Sequence, residues 1–184
     1  GGVALNCVAN GKVLRDGAFK DMWIQPATGD AGGSLGAAYA AWHKELGKPR
    51  TPSAARDRMK GSYLGPEFAQ DDIERRLTAA GAVFEVMDED ATIAATADAL
   101  AEGKAVGWMN GRMEFGPRAL GGRSILGDPR SEDMQKVLNL KVKFRESFRP
   151  FAPSVLREDM AEWFDLDGDS PYMLLVGLVK GDKR

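Results

Sequence analysis

Residues 110–130 read NGRMEFGPRALGGRSILGDPR, a stretch rich in both glycine and arginine. It follows directly on residues 105–109, an apolar segment that predicts a β-strand. Its glycines allow the backbone to approach a ligand closely, and arginine offers a planar fork of donors that fits a phosphate or carboxylate. A loop of this kind after a strand of an α/β fold is a common place for an anion. The candidate ligand-binding residues are Arg112, Arg118 and Arg123.

The structural alternative for this stretch is that its arginines pair with Glu114 and Asp128 while its glycines only make turns. A second basic cluster, residues 141–153, reads KVKFRESFRPFAP. If this cluster is extended, alternation places Lys141, Lys143 and Arg145 on one face. The residues alone leave three readings open: a solvated basic edge strand, a platform for single-stranded nucleic acid, or a second loop that shares one polyanion with the first.

The apolar pattern outside these clusters predicts a mixed α/β fold in three regions. Residues 1–48 are glycine-rich and then helical over 35–46, residues 49–66 form a turn-rich linker, and residues 67–184 alternate between helices and strands. Predicted helices in the third region are 71–80, 90–102, 131–140 (with Ser131 as N-cap) and 158–164. Predicted strands are 82–87, 105–109, 151–156 and 172–179. Asp30, at the start of a helix, is either an N-cap or a metal-binding carboxylate.

Composition excludes several classes of protein. The net charge of -2 disfavours binding nucleic acid by the whole surface, and no apolar run is long enough to span a membrane. A single cysteine and a single histidine exclude an internal disulfide and a Cys/His zinc site. We therefore expect a cytoplasmic protein. We also expect a fragment of a longer chain, because Gly1 replaces an initiator Met and residues 172–179 lead into a charged tail.

Four segments together resemble the O-carbamoyltransferases of the nodulation-protein and antibiotic-biosynthesis family: residues 1–7 (GGVALNC), 25–32 (QPATGDAG), 111–121 (GRMEFGPRALG) and 148–154 (FRPFAPS). The resemblance extends over essentially the whole chain. It implies that residues 1–48 end an actin/sugar-kinase-like domain, which binds a nucleotide and a divalent metal and passes the carbamoyl group to a hydroxyl. It implies that residues 67–184 begin a YrdC-like domain, an open twisted sheet with helices, where ATP and carbamoyl phosphate form carbamoyl adenylate.

The resemblance also implies roles for individual residues, which are expectations at this point. Gly1, Gly2 and Asn6 match the turn that contacts the nucleotide, and Asp30 matches the ligand of a divalent metal (Mg, Mn or Fe). The expected phosphate ligands are Lys143, Arg145 and Arg149. The expected lining of the carbamoyl and adenylate pocket is Arg112, Arg118, Arg123 and Ser124, with Glu114 orienting an arginine. Of these residues, Arg112, Arg118, Lys143 and Arg145 are the predicted catalytic groups.

The expected partners are ATP, carbamoyl phosphate and a small-molecule acceptor that carries a hydroxyl, and a homodimer over an exposed apolar face is possible in the isolated fragment. This sequence has Gly122 where the family more often has Asn, so one side-chain contact of the family is missing. The alternatives are an RNA- or nucleotide-binding YrdC-like module without carbamoyl transfer, and a fragment with no activity of its own.

Overall fold

The fold was taken from a computed structural model, which describes residues 1–52, 57–166 and 168–183. The chain divides into two compact units. Unit 1 consists of Gly1–Gly65, Met113–Leu120 and Ser154–Arg184, and unit 2 consists of Pro66–Arg112 and Gly121–Pro153. The units group residues by spatial contact, and the domain boundaries expected at residues 48 and 67 stay a prediction.

Helices dominate the described residues, and the strands are short. In chain order the regular elements are α1 (Cys7–Asp16), α2 (Asp30–Ala40), α3 (Gln70–Ala79), α4 (Glu89–Ala101), β1 (Val106–Met109), β2 (Arg123–Leu126), α5 (Met134–Val137), α6 (Met160–Trp163), β3 (Phe164–Asp165) and β4 (Leu178–Val179). π-helical turns at Ala41–Glu45 and Leu138–Val142 continue α2 and α5, and 3₁₀ turns lie at Gly2–Leu5, Lys60–Ser62 and Gly181–Lys183. The predicted mixture of helix and strand is confirmed.

Unit 1 contains α1, α2, α6 and the antiparallel pair β3–β4. Helix α1 begins where the Asn6 side chain accepts a hydrogen bond from the Ala9 amide, and it ends at Gly17, whose φ of 71° is readily available to glycine. The Asn10 side chain then donates to the carbonyls of Ala4 and Leu174, at 2.9 and 3.0 Å. These contacts tie the N-terminal turn and α1 to the C-terminal part of the unit.

Unit 2 contains α3, α4, α5 and the antiparallel pair β1–β2. Helix α4 is capped by Asp88, whose carboxylate accepts from the Ala91 amide at 2.8 Å. Behind β2 the chain packs closely against α5, because a Cβ placed on Gly127 would lie 2.8 Å from Met134 and 3.0 Å from Leu138. Met134 and Leu138 are themselves buried and form the small core of this unit.

Several predicted elements differ from the structure. The structure confirms four predicted elements to within a few residues: α2, α3, α4 and β1. In the helix predicted at 35–46, the last part is the π-helical turn Ala41–Glu45. The predicted strands at 82–87 and 151–156 are absent from the described structure, and only Leu178–Val179 of the strand at 172–179 forms. Residues 82–87 (AVFEVM) are mostly apolar, but Val83 and Val86 are exposed and no described strand pairs with this segment. Ser131 is not the cap of α5, which begins after Asp133.

No helix among the described residues is long and apolar enough to cross a membrane.

Candidate functional site

The β1–β2 hairpin fixes the two ends of the stretch 110–122 in unit 2. Met109 pairs with Arg123 in the antiparallel register, and the Asn110 amide donates to the Gly122 carbonyl at 3.0 Å. The guanidinium of Arg123 turns back onto main-chain carbonyls, with its Nη atoms 3.1 and 3.2 Å from the Gly111 oxygen and Nη1 2.6 Å from the Gly122 oxygen. Arg123 therefore closes the mouth of the hairpin. The sequence analysis predicted the strand before this stretch but not the returning strand β2.

Arg112 and Ser124 lie on the same hairpin and have local partners. Arg112 forms an ion pair with Glu67, with 3.4 Å between Nε and Oε2. Both side chains are half exposed, so this ion pair contributes little to stability. The Ser124 hydroxyl accepts from the Gly121 amide at 3.0 Å and supports the turn into β2.

Residues Met113–Leu120, called the motif loop below, belong to unit 1. The loop is tied to the preceding segment by three hydrogen bonds: Gly65 N–H to the Met113 carbonyl at 2.9 Å, Phe115 N–H to the Ser62 carbonyl at 2.6 Å, and the Tyr63 hydroxyl to the Leu120 carbonyl. Gly65 has no room for a side chain, because a Cβ there would lie 2.7 Å from the Met113 oxygen. The segment that sequence analysis treated as a linker therefore holds the loop.

A hydrogen bond between Glu114 and Leu120 links the two ends of the motif loop. Its side chain is 7% exposed, and Oε1 accepts from the Leu120 amide at 2.6 Å. A buried carboxylate that accepts a backbone hydrogen bond rigidifies the loop. The expectation that Glu114 orients an arginine stays a prediction, whereas its contact with the Leu120 amide is observed.

Arg118 links the motif loop to the expected nucleotide turn. Its Nη2 donates to the Leu5 carbonyl at 2.7 Å, directly before Asn6. Gly1 and Gly2 lie at the exposed start of the same turn, and the Thr28 hydroxyl donates to the Gly1 carbonyl at 3.4 Å. The structure thus brings Arg118 to the segment of Gly1, Gly2 and Asn6, although Asn6 itself caps α1 with its side chain.

Lys143 to Arg149, called the basic segment below, lies in unit 2 and is not extended. The π-helical turn Leu138–Val142 precedes it, and the Lys143 amide still donates to the Leu138 carbonyl at 2.9 Å. Phe144 then reverses the chain with a φ of 50°, an uncommon value for an aromatic residue. The strand-like alternation of Lys141, Lys143 and Arg145 that the sequence suggested is therefore wrong, because the last turn of helix continues into the cluster.

The three expected phosphate ligands differ in their surroundings. Lys143 is exposed and makes no side-chain hydrogen bond or ion pair within the described part of the chain. Arg149 pairs with Glu146 at 2.9 Å. The pKa of Glu146 is lowered, first by its own backbone amide and then by Arg149. The half-buried Arg145 guanidinium lies over the Phe151 ring, with 5.0 Å from Cζ to the ring centroid.

A buried amide that sequence analysis did not identify organises the basic segment. Asn139 is fully buried; its Oδ1 accepts from Arg145 Nε at 2.6 Å, and its Nδ2 donates to the carbonyls of Ser147 and Arg149 at 3.1 and 2.8 Å. Gln135, one helical turn earlier, also donates to the Arg149 carbonyl at 3.0 Å. The only signal in the sequence was a polar residue between two leucines of a predicted helix, which is too common to single out.

Asp30 is the first residue of α2 and is exposed. The N-cap is Gly29, with a φ of 123°, so the capping alternative for Asp30 is wrong. The described residues contain no group of three or more His, Cys, Asp or Glu side chains that could hold a metal ion. A lone exposed carboxylate does not form a complete divalent-metal site, and we assign no chemical step to a metal.

Two family profiles match the chain. The profile described as Carbamoyltransferase N-terminus matches residues 1–39, and the one described as Carbamoyltransferase C-terminus matches residues 97–184. The first match contains Gly1, Gly2, Asn6 and Asp30, and the second contains the motif loop and the basic segment.

Named relatives agree with these matches. Nodulation protein NolO of Bradyrhizobium diazoefficiens is 46% identical over 100% of this chain and 33% of its own length. The 3'-hydroxymethylcephem-O-carbamoyltransferase of Streptomyces clavuligerus is 37% identical over 98% of this chain and 32% of its own length. An uncharacterized protein of Synechocystis is 56% identical over 100% of this chain and 30% of its own length. The chain spans less than two thirds of these relatives and is a fragment that belongs to the carbamoyltransferase family.

Proposed function

We propose that this chain is part of an ATP-dependent O-carbamoyltransferase. The complete enzyme forms carbamoyl adenylate from carbamoyl phosphate and ATP and transfers the carbamoyl group to a hydroxyl of a small-molecule acceptor. The observation that carries the proposal is the basic segment, which contains Arg145 and the exposed Lys143; the buried Asn139 amide and the Phe151 ring hold the Arg145 guanidinium in place. This arrangement lies within the part of the chain that matches the family's C-terminal profile.

The chemistry explains why fixed cations are needed. Carbamoyl phosphate and ATP are both polyanions, and bringing them together requires positive groups that offset their repulsion. Carbamoyl phosphate must first lose its phosphate to water, which leaves carbamate and inorganic phosphate; the carbamate oxygen then attacks the α-phosphorus of ATP, and pyrophosphate leaves. Donors that are already in place stabilise the charge that develops at that phosphorus. In the proposal, Lys143, Arg145 and Arg149 contact phosphates. Four residues line the carbamoyl and adenylate pocket, with Glu114 orienting an arginine: Arg112, Arg118, Arg123 and Ser124.

The finer architecture is part of the same proposal. We assign residues 1–48 to the end of an actin/sugar-kinase-like domain and residues 67–184 to a YrdC-like domain, joined by residues 49–66. The contact between Arg118 and the Leu5 carbonyl supports a nucleotide role for the turn of Gly1, Gly2 and Asn6, because it places a cation at that turn. Asp30 remains the proposed metal ligand of the complete enzyme, together with ligands that the described residues do not supply.

The acceptor is proposed only as a class. The printed name of the Streptomyces clavuligerus relative specifies O-carbamoyl transfer to a hydroxymethylcephem. From that name we propose for this chain only that the acceptor is a small molecule and carries a hydroxyl group.

The test is release of pyrophosphate from ATP by the complete protein that contains this chain, measured with and without carbamoyl phosphate. We expect release to require carbamoyl phosphate. We expect Lys143→Ala to lower kcat/KM by about tenfold or more, since a charge-assisted contact is lost. The matched control is Lys136→Ala, an exposed lysine of α5 outside the basic segment. The proposal would be contradicted if pyrophosphate release were the same with and without carbamoyl phosphate, or if the Lys143 and Lys136 variants had equal kcat/KM.

A further inference from the structure

Two contacts hold the Arg145 guanidinium, a hydrogen bond from its Nε and an aromatic ring against its face. Its Nε donates to the buried Asn139 Oδ1 at 2.6 Å, and the Phe151 ring lies 5.0 Å from its Cζ. The main chain is fixed at the same place, because the Arg145 amide donates to the Asn139 carbonyl at 2.9 Å. One residue, Asn139, therefore determines where both the backbone and the side chain of Arg145 lie.

The remaining edge of Arg145 is left for a ligand. Within the part of the chain that the structure describes, its two Nη nitrogens donate to no protein acceptor. With Nε already used, these two nitrogens form the edge that can give parallel hydrogen bonds to two oxygens of a phosphate. The guanidinium is half-buried, which strengthens such a contact relative to a fully solvated one.

The amide at position 139 suits an anion site better than a carboxylate would. A carboxylate there would also hold Nε, but its negative charge would offset the charge of Arg145 that attracts the anion. An amide oxygen holds the guanidinium and leaves its charge unchanged. Asn139 also satisfies its own donors on the Ser147 and Arg149 carbonyls, so it can stay buried without an unpaired polar group.

We propose that Asn139 is a positioning residue that fixes Arg145 so that its two Nη nitrogens together bind a phosphate group of the ligand. This inference rests on the proposed function, because it takes the ligand of the basic segment to be a phosphoric anhydride or ester. It predicts that Asn139 acts on affinity through Arg145 and not only through the stability of the loop.

The test is a double-mutant cycle on the binding of inorganic pyrophosphate, measured by calorimetry at fixed salt on the complete protein that contains this chain. We expect Arg145→Ala and Asn139→Ala each to weaken binding by about tenfold. We expect the double variant to bind no more weakly than Arg145→Ala alone, since Asn139 then has no guanidinium to position. The matched control is Asn10→Ala, which also removes two amide hydrogen bonds to main-chain carbonyls but touches no arginine. It should bind pyrophosphate within about twofold of the wild type.

The outcomes separate the two levels of the proposal. Wild-type affinity in Asn139→Ala, or a full additional loss in the double variant, overturns the positioning role and leaves the phosphate site standing. No binding by the wild type, or no effect of Arg145→Ala, overturns the phosphate site and the inference together.

If Asn139→Ala does not fold, Asn139→Asp keeps the size of the side chain and the acceptor for Arg145 Nε. Like Gln135→Glu, it replaces a donor to the Arg149 carbonyl by an oxygen, so the two variants are matched in that loss. The new carboxylate should weaken pyrophosphate binding by about tenfold or more, whereas Gln135→Glu adds the same charge on α5 without contacting Arg145 and should weaken it less. Equal effects of the two variants would overturn the inference.

Discussion

At the scale of single residues, the arginines that look alike in the sequence have different tasks in the structure. Arg123 donates to the carbonyls of Gly111 and Gly122 and so holds the hairpin closed. Arg130 makes a two-point contact with Asp128 and lowers the pKa of that carboxyl. Arg145 uses only one nitrogen of its guanidinium on the protein side chain of Asn139. Arg145 therefore keeps guanidinium donors for a ligand, whereas Arg130 uses its donors on Asp128.

Tyr172 and Asp57 allow a residue-scale prediction about stability. The Tyr172 hydroxyl donates to the Asp57 carboxylate and accepts from the Gly61 amide at 3.2 Å. Burial, followed by the Asp57 contact, raises the pKa of Tyr172 to about 12. We expect Tyr172→Phe to lower the free energy of unfolding by about 1 kcal/mol near neutral pH, a value reduced for partial exposure.

The same contact predicts a dependence on alkaline pH. The folded state binds the Tyr172 proton more tightly than the unfolded chain, so the stabilisation is complete below about pH 10. It is lost as the pH rises toward the folded pKa of about 12. Thermal unfolding of the wild type and Tyr172→Phe should therefore differ at pH 8 and converge near pH 11.5. A constant difference in Tm across this range would show that the hydroxyl proton is not involved.

At the scale of elements, the beginning of α1 combines a structural and a proposed functional role. Asn6 caps the helix, with 3.0 Å between its Oδ1 and the Ala9 amide. We expect Asn6→Ala to cost about 1 kcal/mol in unfolding free energy, while Asn6→Ser, which keeps an acceptor, should cost less. Thermal denaturation of the two variants measures this difference. Equal melting temperatures for Asn6→Ala and the wild type would mean that the cap does not stabilise α1.

Sequence analysis found the helices with strong periodic patterns but few of the strands. Helices such as α4 carry their own hydrogen bonds and begin at a cap such as Asp88, so local sequence determines them. Strands depend on partners elsewhere in the chain, and the apolar segment 82–87 has no such partner in the described structure. Helix α1 was missed because its glycine-rich start suggested a turn. Asn139 was missed because its role depends on a reversal of the chain at Phe144 that no local rule predicts.

At the scale of the whole molecule, large apolar side chains are exposed in unit 1. Leu46, Trp42 and Tyr39 are 61%, 51% and 48% exposed on α2 and its π-helical extension. Apolar surface of this kind favours association, so the expected homodimer stays a prediction for the isolated chain. The 184-residue chain spans about a third of its relatives' length, so ligand binding and not turnover is the quantity to measure on it.

Calorimetric titration of the 184-residue chain with carbamoyl phosphate and, separately, with ATP tests most directly whether the basic segment is a phosphate site. We expect saturable heat with at least one of the two ligands and a loss of affinity of about tenfold in Arg145→Ala. The control Arg130→Ala should bind as the wild type does, because the Arg130 guanidinium donates its hydrogen bonds to Asp128. Absence of heat with both ligands in folded protein, or equal affinity of the Arg145 variant and the wild type, would contradict the assignment.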